Sequence, residues 1–407
     1  MNDREKALLR RLAERVAAIA ALPEQAARRD MWYAHNDLHS PRAVVLAFPE
    51  GAWRELIPQT VLESADPLAR EWEMRLRQTI YTFEHLHDDQ VTEPVFNIPW
   101  VHTVSDYGVP LEHVRTEALG AYTWKPPLVE LSDIDKLRFR TWDIDRAETD
   151  RRVALAKDIF GDVLAVRIRG MFWWTLGMTW TAILMRGLER LMLDIYDHPE
   201  WLSQLMSFLR DATLHDLDYL ETNGFLTLNN EDDYVGSGGF GYTRSLPSPS
   251  FDGVVRTADM WGFAESQEFV SVSPEKFEEF AFRFQLPLLS RFGLNCYGCC
   301  EPVHSRIHLL KTIPRLRRIS ISAWCDLDIA ARELSDRYIF SYKPSPAVLA
   351  GEHLDETDIR RTLSHCLDVA RGCKVEIIMK DTHTLRGEPE RLTRWTEIAR
   401  EVADEYS

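Results

Sequence analysis

The sequence predicts an α/β fold, a (β/α)8 TIM barrel with an N-terminal helical extension and insertions after strands 2 and 4. Three observations predict it. Eight short β-rich runs recur along the chain, each is followed by a longer amphipathic segment, and neither half carries the nucleotide fingerprint of an open doubly wound sheet. The 407 residues, 45% of them hydrophobic and 11% aromatic, can fill a barrel of about 250 residues and its additions.

Residues 1–30 read as one helix, because Leu8, Leu9, Leu12, Val16, Ile19 and Leu22 recur at helical spacing among charged residues. They belong to an extension over residues 1–42, and residues 43–407 form the barrel. The expected strands are 43–48, 95–104, 163–170, 226–232, 294–301, 316–324, 338–342 and 375–380. Helical patterns occupy 66–86, 184–220, 274–292, 327–334, 356–370 and 389–405. Ser273 is an N-cap before Pro274 at the first helical position, but Lys276 stands where a capping box needs Glu or Gln. The insertions cover 105–150 and 234–272. The second opens with Gly236-Ser237-Gly238-Gly239-Phe240-Gly241, and no Lys-Ser/Thr follows it as in a P-loop, so it reads as a flexible lid or turn.

With 48 Lys and Arg against 64 Asp and Glu, the formal charge of −16 repels nucleic-acid phosphates and anionic membrane surfaces. No apolar run reaches the length of a membrane span, and the charged first residues lack a secretory h-region, so a cytoplasmic protein is expected. The six cysteines are too sparse for a disulfide scaffold, and three of them crowd into Cys296, Cys299 and Cys300.

Barrel chemistry is carried by strand ends and the loops after them. Those ends supply Asn229, Asn230, Glu231, Asp232 and Asp233, then Cys296, Cys299, Cys300 and Glu301, then Trp324, Cys325 and Asp326, then Lys343, and finally Lys380, Asp381 and His383. Cys299, Cys300, Glu301 and His383 are expected zinc ligands, because thiolate, carboxylate and imidazole are donors Zn²⁺ accepts, and three of them with an open position make a catalytic site. Free cysteines are also common as buried small hydrophobes, which leaves that alternative open. His383, Glu231, Asp232 and Asp381 are candidates for proton transfer, since neighbouring carboxylates push one pKa upward. Lys343 and Lys380 occupy strand ends where barrels bind phosphate or carboxylate groups. Trp174, Trp324 and Asn230 are candidates for contact with a flat small-molecule substrate.

Several pieces together resemble the uroporphyrinogen decarboxylase superfamily, which includes the zinc-dependent, corrinoid-linked methyltransferases. They are Arg169-Gly170 leading to Trp174-Thr175-Leu176, His198-Pro199-Glu200, the run Val272-Ser273-Pro274-Glu275-Lys276-Phe277-Glu278-Glu279-Phe280, the Gly298-containing strand five, Asp326-Leu327, and Glu388-Pro389-Glu390. The resemblance spans about residues 43–407. It implies a metal-dependent methyltransferase that passes a methyl group to or from a corrinoid on a separate protein, and it implies a homodimer. In the methyltransferase branch zinc is held by a His-x-Cys-Gly element on strand five and a Cys on strand eight, whereas Cys299-Cys300-Glu301 and His383 exchange the donor types between those strands. The decarboxylases bind substrate carboxylates with arginines on strand one, and Leu46-Ala47-Phe48-Pro49-Glu50-Gly51 has none. The alternatives are a decarboxylase or other lyase acting on an anionic, tetrapyrrole-like substrate, and a barrel that binds a ligand without turnover.

Overall fold

Eight short parallel strands position everything that follows: β1 (Val44–Ala47), β2 (Val95–Ile98), β3 (Ala165–Ile168), β4 (Trp261–Ala264), β5 (Leu294–Tyr297), β6 (Leu316–Ser322), β7 (Ile339–Lys343) and β8 (Lys374–Met379). They are taken from a computed structural model that describes residues 1–115 and 122–407. Six strands form one parallel sheet in the order β1-β8-β7-β6-β5-β4, and β2 pairs with β3. From residue 274 onward each strand is followed by a helix that returns the chain to the same edge, which is how a parallel ladder is wound.

The described backbone ladders thus give a six-stranded run and a pair instead of an uninterrupted ring of eight. Side chains bridge the openings. Beside β1, Asp89 accepts a hydrogen bond from Val45 N at 2.8 Å and Asp88 one from Ala47 N at 3.0 Å. Beyond β3, the Thr227 hydroxyl bonds both Gly170 N and Gly170 O. Asn229 accepts from Trp261 N at 2.8 Å and donates to Trp261 O at 3.0 Å. The strand expected at 226–232 is therefore absent as a ladder. Its Asn-Asn-Glu-Asp-Asp sequence favours side-chain bonds to nearby backbone over strand pairing. The strand missing from the sequence reading is β4, inside the expected second insertion. Its Gly262 is required by packing, because a Cβ there would stand 2.6 Å from Asn295 Oδ1 and from Phe292 Cγ.

Strand alternation sorts the side chains into two layers. Val45, Ala47, Ile319, Ile321, Phe340, Tyr342, Ile377 and Met379 join the core beneath the helices. Val44, Leu46 and Ile378 point the other way and pack with Trp32, Phe240 and Tyr242. Arg318, Ser341 and Glu376 share that inner face by alternation. Arg318 pairs with Glu376 at 2.8 Å, and His35 Nε2 lies 3.0 Å from Glu376 Oε2.

The helix expected over 1–30 is two, α1 (Asp3–Ala20) and α2 (Pro23–Asn36), because Pro23 cannot continue α1 and starts a new first turn. Leu9, Ala13 and Val16 of α1 pack on Trp72, Phe96 and Phe160. The end of α2 enters the inner layer, where Asn36 Nδ2 donates to the carbonyls of Phe240 and Tyr242. The pattern at 184–220 likewise divides into Thr179–Arg186, Leu188–Asp197 and Pro199–Thr222, broken at Gly187 with φ 84° and ahead of Pro199.

The glycine-rich run is not a flexible lid. Residues 235–243 are buried. A Cβ on Gly239 would stand 2.4 Å from Arg318 Cζ, one on Gly236 2.9 Å from Cys296 Cβ, and one on Gly241 2.1 Å from Asn229 O. The glycines let the chain thread against the inner faces of the strands.

Candidate active site

The acidic run after residue 228 is held by two arginines from the end of β3. Arg167 Nη1 donates to Glu231 Oε2 at 2.9 Å, and Arg169 Nε donates to Asp233 Oδ1 at 2.9 Å with a second close contact to the same carboxylate. Asp232, between the two paired acids, is half-buried and has no hydrogen bond to its carboxyl among the described residues. Removal from water, then repulsion from Asp233 and Glu93, raises its pKa well above the usual carboxylate range, while Arg167 and Arg169 oppose the shift.

Asp232 and Asn97 line two adjoining cavities. One, of about 390 Å³, lies at the opening between β1 and β2 and includes Phe48, Glu50, Trp53 and Glu93 in its wall. The other, of about 530 Å³, is walled by Phe172, Trp173, Trp174, Trp261 and Phe263 together with Arg169 and Asn229. An unpaired acid of raised pKa in an aromatic cleft has the properties of a proton donor.

A second cluster forms where β5 and β8 end. Gly298, at φ 91°, turns the chain so that Cys299 is buried and Cys300 exposed. Cys299 Sγ accepts from Ser237 Oγ at 3.2 Å and from Lys380 Nζ at 3.5 Å, and it lies 3.6 Å from Cys300 Sγ. The Cys300 hydrogen bond, with the ammonium and the hydroxyl, brings the Cys299 thiol down to about 7 against the effect of burial. Asp381 accepts from Cys300 Sγ at 3.4 Å, and its own N–H, at φ 56°, donates to Glu50 at 3.0 Å.

The other expected site residues are distributed around these two clusters. Asn230 donates to Leu246 O at 2.8 Å and faces Arg169. Lys343 is buried on the inner face against Ser341, and removal from water brings its amine down to about 7. Trp174 lines the aromatic cavity, whereas Trp324 is 76% exposed and belongs to neither cavity wall.

The zinc set does not assemble. Among the described residues no three His, Cys, Asp or Glu side chains are grouped to hold a metal ion. The reasons are local. Glu301 is buried, its two carboxylate oxygens accepting from Ser266 N at 2.9 Å and Cys299 N at 2.8 Å. His383 is exposed, its Nδ1 lying 2.8 Å from where a Cβ on Gly51 would stand. The cation beside Cys299 is Lys380. Cys299, Cys300, Glu301 and His383 therefore do not fit the three-ligand site expected of them.

Arg169, Glu50, Asn97 and Ser237 were missed as site residues in the sequence. The one available signal was paired alternation: Arg167-x-Arg169 at one strand end matches Glu231-x-Asp233 in the next segment, which leaves Asp232 on its own.

No protein-family profile and no curated protein matches the chain. Among solved structures, a methyltransferase from Methanosarcina mazei aligns over 92% of this chain and 98% of its own, with a TM-score of 0.52 and 11% identity. The likeness is one of fold. It accords with the mixed α/β architecture and the run of six parallel strands.

Proposed function

We propose that the protein is a methyltransferase of the uroporphyrinogen decarboxylase superfamily that moves a methyl group from an O-methylated planar donor to a corrinoid carried by a partner protein. In this reading β2 and β3 close a barrel with the six-stranded run, and chemistry occurs at the strand ends. The observation that carries it is Asp232, an acid of raised pKa with no hydrogen-bond partner among the described residues, in the wall shared by two cavities.

When a nucleophilic acceptor attacks the methyl carbon of an ether, the C–O bond breaks and its electrons stay on oxygen. A neutral carboxyl in reach supplies the proton that turns the leaving group into an alcohol or phenol. A quaternary ammonium donor departs as a neutral amine and needs no such acid, so Asp232 favours oxygen donors. The rings of Trp174, Trp261 and Phe263 offer the flat apolar surface that a planar donor fills. Arg169, fixed by Asp233, borders the same space and suits an anionic substituent on the donor.

The same acid of raised pKa also favours a second reading, decarboxylation, in which Asp232 would protonate the carbanion left after CO2 departs. One assay separates the two. Full-length protein is incubated with methoxybenzoates and free reduced cobalamin as surrogate acceptor. Methyl transfer predicts methylcobalamin and the matching phenol in equal amounts, with Asp232→Asn slower by about 10²- to 10⁴-fold. Release of CO2 without methylcobalamin would support the second reading. Ligand retention without either product would reduce the chain to a binding barrel.

A further inference from the structure

We propose that Cys299 and Cys300 form a reversible redox site at which a hydroperoxide converts two adjacent thiols into a vicinal disulfide. The geometry divides the labour between them. Both are free thiols with sulfurs 3.6 Å apart, one buried beside an ammonium and the other open to solvent. Lys380 Nζ at 3.5 Å and Ser237 Oγ at 3.2 Å hold the Cys299 sulfur as the more anionic of the two, so it is the nucleophile. Cys300 is positioned to resolve, its sulfur 3.6 Å from Cys299 Sγ and 3.4 Å from Asp381 Oδ2. Among the described residues no other two thiols are in hydrogen-bond contact, and the remaining cysteines are buried or partly so.

The steps balance. Cys299 thiolate attacks one peroxide oxygen, the O–O bond breaks, and the departing alkoxide or hydroxide takes a proton from water, leaving Cys299 as a sulfenic acid. Cys300 sulfur then attacks the Cys299 sulfur and expels hydroxide, which becomes water with the Cys300 proton. Two thiols lose two electrons, and the hydroperoxide is reduced to its alcohol or to water. Two equivalents of a monothiol reverse the change. Disulfides normally join Cα atoms about 4.4–6.8 Å apart, whereas neighbours in sequence stand about 3.8 Å apart across a trans peptide, so the product is strained and readily reduced. Oxidation also removes the sulfur anion beside Lys380 and leaves its ammonium to Ser237 and Asp381. The site does not use Asp232 and stands whether or not the methyl-transfer reading does.

The test treats reduced full-length protein with one equivalent of hydrogen peroxide, alkylates the remaining thiols and maps peptides by mass spectrometry. The expected result is loss of two of the six titratable thiols, both in the peptide carrying Cys299 and Cys300, that peptide lighter by two hydrogens, and full recovery with dithiothreitol. Cys300→Ser is expected to accumulate a Cys299 sulfenic acid that dimedone traps. Wild-type protein in which Cys299 passes to sulfinic acid, or in which the pair stays alkylatable while other cysteines oxidise, overturns the proposal. That mapping decides even if Cys300→Ser fails to fold.

Discussion

Glu265, the first residue after β4, is wholly buried. Gln267 N donates to one of its carboxylate oxygens at 3.1 Å, and among the described residues the other has no hydrogen-bond partner. Burial, then the charges of Glu268 and Glu301, raise its pKa to about 9. The folded chain therefore keeps a proton that the unfolded chain releases above the ordinary glutamate pKa. Stability from this group is complete below that pKa, falls as pH rises, and is lost by pH 9, with a slope of at most about 1.4 kcal/mol per pH unit. Glu265→Gln is expected to flatten that dependence between pH 5 and pH 9 in urea unfolding. An unchanged slope would place the proton elsewhere. At this scale the sequence was partly legible. The acidic run 229–233 marked where proton chemistry belongs, but only the arginine pairings distinguish Asp232 from its neighbours, and with partners 64 residues distant their one trace is the matched spacing of Arg167-x-Arg169 and Glu231-x-Asp233.

The run from Gly236 to Gly241 shows how composition and environment part company. Glycine density reads equally as mobility or as close approach, and here three glycines meet Cys296, Arg318 and Asn229 at distances no side chain tolerates. Gly239→Ala is expected to cost about 1–3 kcal/mol in denaturant unfolding, because the Arg318 guanidinium it would displace is buried and paired with Glu376. A stability within a few tenths of wild type would return the run to the status of a lid. The hidden strand β4 follows the same logic. Four residues containing a glycine carry too little pattern to announce a strand, yet Gly262 is the price of lying against Phe292 and Asn295.

Across the whole molecule, the second half of the fold was the more legible. From residue 274 onward each helix follows its strand closely, so hydrophobic period alone fixed the order β5 to β8. The first half hides its plan behind long insertions and behind ladder openings that Asp88, Asp89, Thr227 and Asn229 bridge with side chains, which no periodicity records. Those openings also matter for function, since one cavity lies between β1 and β2 and meets the other at Asp232. Removal from water, then repulsion from Asp233 and Glu93, lifts the pKa of this carboxyl well above the usual carboxylate range, and proton donation by Asp232 rests on that shift. Infrared difference spectroscopy between the wild type and Asp232→Asn at pH 7 reads that proton directly. The expected result is a carboxylic-acid carbonyl band in the wild type that the substitution removes, while the band of Glu265 persists in both. Spectra without a carboxylic-acid difference would mean that Asp232 is ionised and would contradict its role as proton donor.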